Sequence, residues 1–174
     1  MQYKPTIGAD FLTKETEING TLVSLQLWDT AGEEKFHSMG ASFYRNSECC
    51  VLVFDLTDEN TFETIDSWKT EFLNQLNPKD PENFPFVLVG NKCDLSDNIK
   101  VTKDKIDKYI EKNSNMKYFE TSAKDNIKVN EVFQLVGKLA FNRNNNNEIS
   151  FIPNKKIVLS KQTNDIKKRK CCSK

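Results

Sequence analysis

Apolar and polar residues along this chain fall into two distinct rhythms. Residues 11–18 and 21–28 form two strand-length arms joined by Asn19-Gly20, a dipeptide suited to a two-residue hairpin turn. Leu22, Leu25, Leu27 and Trp28 give the second arm its apolar content, with imperfect alternation. Further on, Cys49–Phe54 and Phe86–Gly90 are short, continuous apolar runs rich in valine. Their length and composition predict strands covered on both faces. Between them, Phe62, Ile65, Trp68, Phe72 and Leu76 recur at helical spacing over Asn60–Leu76. Further helices are predicted over Lys103–Lys112 (apolar at Ile106, Tyr109 and Ile110) and Val129–Phe141, with a short strand at Met116–Phe119 before the second. A hairpin followed by strands alternating with helices predicts an α/β fold with a mostly parallel sheet.

Composition changes this picture only at the C-terminal end. The 174 residues carry 25 basic and 25 acidic side chains. From Lys155 onward, however, eight basic residues stand against Asp165 alone, so that segment carries +7 and the preceding body −7. An acidic body with a basic tail suits an anionic surface such as a membrane, and no nucleic-acid partner is expected. Asn144–Asn147 is a low-complexity run, and residues 142–174 read as a flexible tail beyond a domain of residues 1–141. The first 20 residues lack the apolar core of a signal peptide, and no run approaches bilayer-spanning length. Cys49-Cys50, Cys93 and Cys171-Cys172 do not make a secreted disulfide framework, so a reducing cytosolic setting is expected.

Three short motifs follow predicted strands, where ligands bind in parallel sheets. Asp29-Thr30-Ala31-Gly32 leaves its strand as a tight loop. In a nucleotide switch, the aspartate orders the magnesium shell and the glycine lets a backbone N–H reach the terminal phosphate. Asn91-Lys92-Cys93-Asp94 suits guanine recognition, because one carboxylate can accept from both the ring N–H and the exocyclic amine. Adenine would leave that carboxylate unpaired. Thr121-Ser122-Ala123-Lys124 can add a backbone N–H to the guanine oxygen while the lysine stem packs nearby. Each motif alone is weak, but the three in this order are specific.

With Tyr3–Glu15, Leu25–Trp28, Phe43-Tyr44-Arg45, Leu52–Thr57 and Asp80–Phe86, these motifs make the chain resemble a Rab-family small GTPase of the late-endosomal and lysosomal branch. The likeness covers about residues 2–141 and the terminal cysteines. It implies a P-loop NTPase-like fold binding GTP or GDP with Mg2+. Thr6 matches the switch threonine that ligates magnesium, with Asp29 acting indirectly, and Gly32 contacts the γ-phosphate. Asn91, Lys92, Asp94, Ser122, Ala123 and Lys124 match the base site, while Ile7, Phe11, Trp28 and Phe43 lie on the effector face. Cys171 and Cys172 match the paired cysteines that take geranylgeranyl groups, and two lipids anchor a protein stably. The implied partners are Rab effectors, the Rab escort protein, the GDP-dissociation inhibitor and the cytoplasmic face of endosomal or lysosomal membranes.

Two departures from the pattern carry expectations of their own. Glu33 stands where the family usually has a water-orienting glutamine. It has no amide donor, and its charge opposes a γ-phosphate, so hydrolysis is expected to be slow by ~10²–10³. No G-x-x-x-x-G-K-[ST] run occurs in these residues, since Gly90 and Gly137 both lack the required neighbours. The family places that loop, with a strand before it and a helix after it, ahead of the segment matched here. The fold is therefore expected to be truncated at its N-terminus, lacking a strand between those ending at Trp28 and beginning near Cys49. Three outcomes are open: the flanking strands close up, another chain fills the gap, or residues upstream of Met1 supply it.

Overall fold

The computed structural model describes residues 6–32, 44–113 and 116–149, with side chains as far as 145. Asn19 and Gly20 both take positive φ (52° and 78°), the conformation that a two-residue hairpin turn demands. They join β1 (Ala9–Ile18) to β2 (Thr21–Thr30) in an antiparallel register that pairs Phe11 with Trp28 and Ile18 with Thr21. The arms are two residues longer than predicted at their open end, where Ala31 N–H donates to the Gly8 carbonyl at 2.8 Å.

The apolar runs form a second, parallel sheet in the order β3 (Cys50–Asp55), β4 (Phe86–Asn91), β5 (Lys117–Glu120). All but the last residue of β4 are buried, because β4 lies between two strands and is covered on both faces. On one face Leu52, Phe54, Leu88, Ile65, Phe72, Val101 and Ile106 form the main core. On the other, Val87 and Val89 pack against Val132 and Val136 of the last helix.

Two differences from the sequence expectations have physical causes. The segment predicted as one helix over Asn60–Leu76 is two, α1 (Glu59–Glu63) and α2 (Ile65–Leu76). Thr64 N–H bonds back to the Asn60 and Phe62 carbonyls, which tightens the turn and ends α1 before α2 begins. α3 occupies Lys103–Lys112 as expected, capped by the Thr102 hydroxyl. α4 runs over Val129–Ile149, through the asparagine run and eight residues past the expected end at Phe141. Arg143 holds the extension: its guanidinium lies 3.3 Å from Glu48 and 4.6 Å from the centre of the Phe84 ring. The tail boundary at 142 thus falls inside a helix, and the remainder of the tail lies outside the described residues.

The hairpin sits on α4 through Ile18 and Leu25. An added Cβ at Gly137 would come within 2.9 Å of Ile18 Cδ1 and 3.2 Å of Leu25 Cδ1, so glycine sets that close approach. β2 and β3 are not paired, and the flanking strands therefore do not close up. A cleft of about 400 Å³ lies between them, lined in part by Asp29, Gly32, Val51, Val53, Ile65 and Trp68.

Candidate functional site

The ends of β4 and β5 bring two sequence motifs into one structure. Asn91 is the last residue of β4, and its Oδ1 accepts from Ala123 N–H at 3.0 Å and from the Thr121 hydroxyl at 3.3 Å. The backbones are tied as well, through Cys93 N–H to the Thr121 carbonyl (2.9 Å) and Thr121 N–H to the Gly90 carbonyl (2.8 Å). A single asparagine side chain thus fixes one loop against the other.

Asp94 stands at the mouth of this arrangement. The Ser122 hydroxyl hydrogen-bonds its carboxyl and holds it below the usual carboxylate range, helped by its own backbone N–H, Lys124 and Lys92 against a smaller opposing effect of burial. Lys124 Nζ lies 4.0 Å away. Ser122 itself is fully buried and accepts from Asp125 N–H at 3.0 Å, so its hydroxyl proton is free to point at Asp94. The loop returns through a bridge between Ser122 and Ile127, with Asn126 and Lys128 at positive φ. The result is an ionised carboxylate of fixed orientation beside an exposed lysine. Those groups fit a flat base presenting two adjacent N–H donors, which is the guanine edge.

A second group of residues gathers at the open end of the hairpin. Thr6 Oγ1 donates to Asp29 Oδ2 at 3.3 Å, bringing together the two residues expected near magnesium. Two hard oxygens fit Mg2+, which prefers a few protein ligands alongside phosphate oxygens and waters. Gly32 follows with open space around its Cα, so a phosphate oxygen can approach the backbone there. Among the described residues, no cluster of three or more histidines, cysteines or carboxylates could hold a metal on its own. On the hairpin surface, the Phe11 and Trp28 rings pack 4.6 Å apart with both residues 45% exposed, and Ile7 is 76% exposed. Glu33, Phe43, Cys171 and Cys172 lie outside the described residues.

Two residues were given no site role in the sequence reading, although both lie in segments that carry the resemblance. Asp55, at the end of β3, pairs with Lys92 at 2.6 Å. The Asp-x-Thr spacing of Asp55 and Thr57, which favours a side-chain turn, is the signal that marks it. Tyr44 packs on Phe72 at the edge of the cleft, and burial raises its hydroxyl pKa although a bond with Thr30 opposes this. Nothing in the local sequence distinguishes Tyr44 from an ordinary core aromatic.

Comparison with known proteins places this geometry in a wider group. Residues 1–142 match the model of the Ras family. The chain is 43% identical over 171 residues to the Ras-related protein Rab-7a of Paramecium octaurelia, spanning 98% of this chain and 83% of that protein. It is 50% identical over 149 residues to the Ypt/Rab-type GTPase ypt7 of Schizosaccharomyces pombe (85% and 73%). The Ras-related protein Rab7 of Drosophila melanogaster matches at 50% over 139 residues (80% and 67%).

Proposed function

The chain belongs to the Ras family, among the Rab small GTPases of the Rab7 type, and from that premise we propose that it is a guanine-nucleotide-binding protein of late-endosomal or lysosomal membrane traffic. The carrying observation is the base site: Asn91 locks the two loops together, and Ser122 hydrogen-bonds the Asp94 carboxylate and favours its ionised form. Asp94 accepts from the guanine ring N–H and amine, and the Lys92 and Lys124 stems flank the ring, while Ala123 N–H is held by Asn91 Oδ1 and ties the two loops together. Adenine leaves the carboxylate unpaired, at a cost of about 1–3 kcal/mol.

At the hairpin end, Thr6 and Asp29 hold the magnesium side and Gly32 senses a γ-phosphate. Magnesium, when bound, neutralises charge on the phosphate oxygens. Glu33 lacks the donor that would orient water, so hydrolysis is slow. These 174 residues contain no phosphate-cradling glycine loop, and a polypeptide of this length holds the base better than the phosphates. Phe11, Trp28 and Ile7 face effectors, with Phe43 completing that surface. The tail, with geranylgeranyl groups on Cys171 and Cys172, is handled by the Rab escort protein and the GDP-dissociation inhibitor and anchors the chain to the cytoplasmic membrane face.

Titration of the 174-residue polypeptide with fluorescent GDP and ADP tests this reading. GDP is expected to bind with a Kd above about 10 μM, at least ~10-fold tighter than ADP, and Asp94→Ala abolishes the difference. Equal binding of the two nucleotides overturns the base site, and sub-micromolar GDP binding overturns the weak phosphate hold. A second reading, a lipid-anchored effector-binding module without a nucleotide cycle, is favoured by the exposed Phe11–Trp28 pair, whose backbone support comes from the hairpin itself. Effector capture that ignores added nucleotide distinguishes it.

A further inference from the structure

Asp55 is the last residue of β3, directly across the ladder from Asn91. Its carboxylate is fixed on one side, where Oδ1 accepts from Thr57 N–H at 2.8 Å and from the Thr57 hydroxyl at 2.7 Å. That leaves Oδ2 facing the neighbouring strand end, 2.6 Å from Lys92 Nζ. The backbone around it is equally constrained. Asp55 N–H donates to Thr61 Oγ1 at 2.9 Å, and Leu56 N–H donates to the Asn91 carbonyl at 3.0 Å. Lys92 has φ 67°, which turns the chain sharply as it leaves β4 and starts its side chain from an uncommon direction.

We propose that Asp55 is a positioning residue of the guanine site, aiming Lys92 across the place where the base ring sits beside Asp94, with Thr57 as its buttress. This rests on the base-site reading above and adds a residue from a third strand to it. An exposed lysine–carboxylate pair does little, because both side chains move and water screens them. Here the carboxylate side chain is only 17% exposed and both its oxygens are engaged, while Lys92 keeps a 53% open surface along which a ring can lie. A lysine left free samples many rotamers, and ordering it on ligand binding weakens the ligand. Asp55 orders it beforehand.

The test uses the 174-residue polypeptide, amine acylation followed by mass spectrometry, and GDP as the probe. In Asp55→Asn, acylation of Lys92 is expected to rise about three- to tenfold, with Lys105 and Lys108 unchanged. The GDP concentration that half-protects Lys92 is expected to rise by a similar factor. Thr57→Val keeps the backbone contacts and removes one donor to Asp55, so a smaller change in the same direction, about twofold, is expected. It decides the matter if Asp55→Asn does not fold. Unchanged Lys92 acylation in a folded variant overturns the pairing. Increased acylation with an unchanged GDP midpoint overturns the positioning role. Absence of GDP protection in the unmutated chain overturns the base-site reading, and the positioning role with it, while the acylation rates still report the ion pair separately.

Discussion

Two carboxylates beside the ends of β3 respond to pH in opposite senses. Burial by itself raises the Asp55 pKa, but Lys92 and the two Thr57 donors outweigh it and hold the carboxyl below its ordinary value of 3.8. A carboxyl depressed in the folded state stabilises the fold above its unfolded pKa, and that contribution disappears as pH falls through the folded one. Glu48 has the opposite sign. Burial raises its pKa above 4.5 despite Arg143, so its contribution is present at lower pH and lost as pH rises through the folded value. Asp55→Asn is therefore expected to lower stability by about 1–2 kcal/mol at neutral pH and to flatten the loss of Tm below about pH 4. Thermal scans at pH 3 and pH 7 check this, and an unchanged acid limb refutes it. The neighbouring thiols offer an independent check on β3. Burial pushes Cys49 up to about 12 and Cys50 further still. A protonated thiol is a poor nucleophile, so iodoacetamide is expected to modify both more slowly in the native protein than in urea. Equal labelling rates with and without denaturant would refute this.

Helix α4 carries two jobs that its sequence discloses unequally. Its first half packs Val132 and Val136 on the sheet at visible helical spacing. Its second half has no such stripe and is held by Arg143 against Glu48 and Phe84, a long-range contact that no window of residues around Asn144 can reveal. Arg143→Ala is expected to fray the last turns, costing about 1–2 kcal/mol and measurable helicity by circular dichroism. Unchanged helicity would assign the extension to local propensity instead. Gly137 is the other telling position. Valine there drives methyls into Ile18 and Leu25, so hydrogen exchange should quicken across β1 and β2 while β4 stays protected. Uniform loss of protection would show that hairpin and sheet unfold as one unit. The hairpin was legible because Asn19-Gly20 fixes its register, and β4 because a buried central strand is apolar without interruption. The break at Thr64 was not, since Phe62 and Ile65 keep helical spacing across it. In the site, Asn91, Asp94 and Ser122 were marked by motifs. Asp55 was hidden among a strand's end residues because its importance lies in a partner 37 positions away.

Taken whole, the described residues form two sheets that share a helix but not an edge. Among them, β3 pairs with β4 alone, and Val53 in its middle is 56% exposed. Its ladder groups and apolar side chains border the cleft beside the hairpin. An uncovered strand edge of this kind templates pairing with further chains. The hairpin cannot relieve it, because Ile18 and Leu25 hold it against Gly137 rather than against β3. Val53→Lys places a charge at the open position without removing a core side chain. It is expected to suppress light scattering on concentration or heating while leaving thermodynamic stability within about 0.5 kcal/mol. The converse result would be equally informative. If lysine at this position costs more than about 2 kcal/mol, Val53 is covered in solution by a segment outside the described residues or by a second chain. A polypeptide extended upstream by a strand that pairs with this edge is expected to be damaged by Val53→Lys more than the 174-residue one.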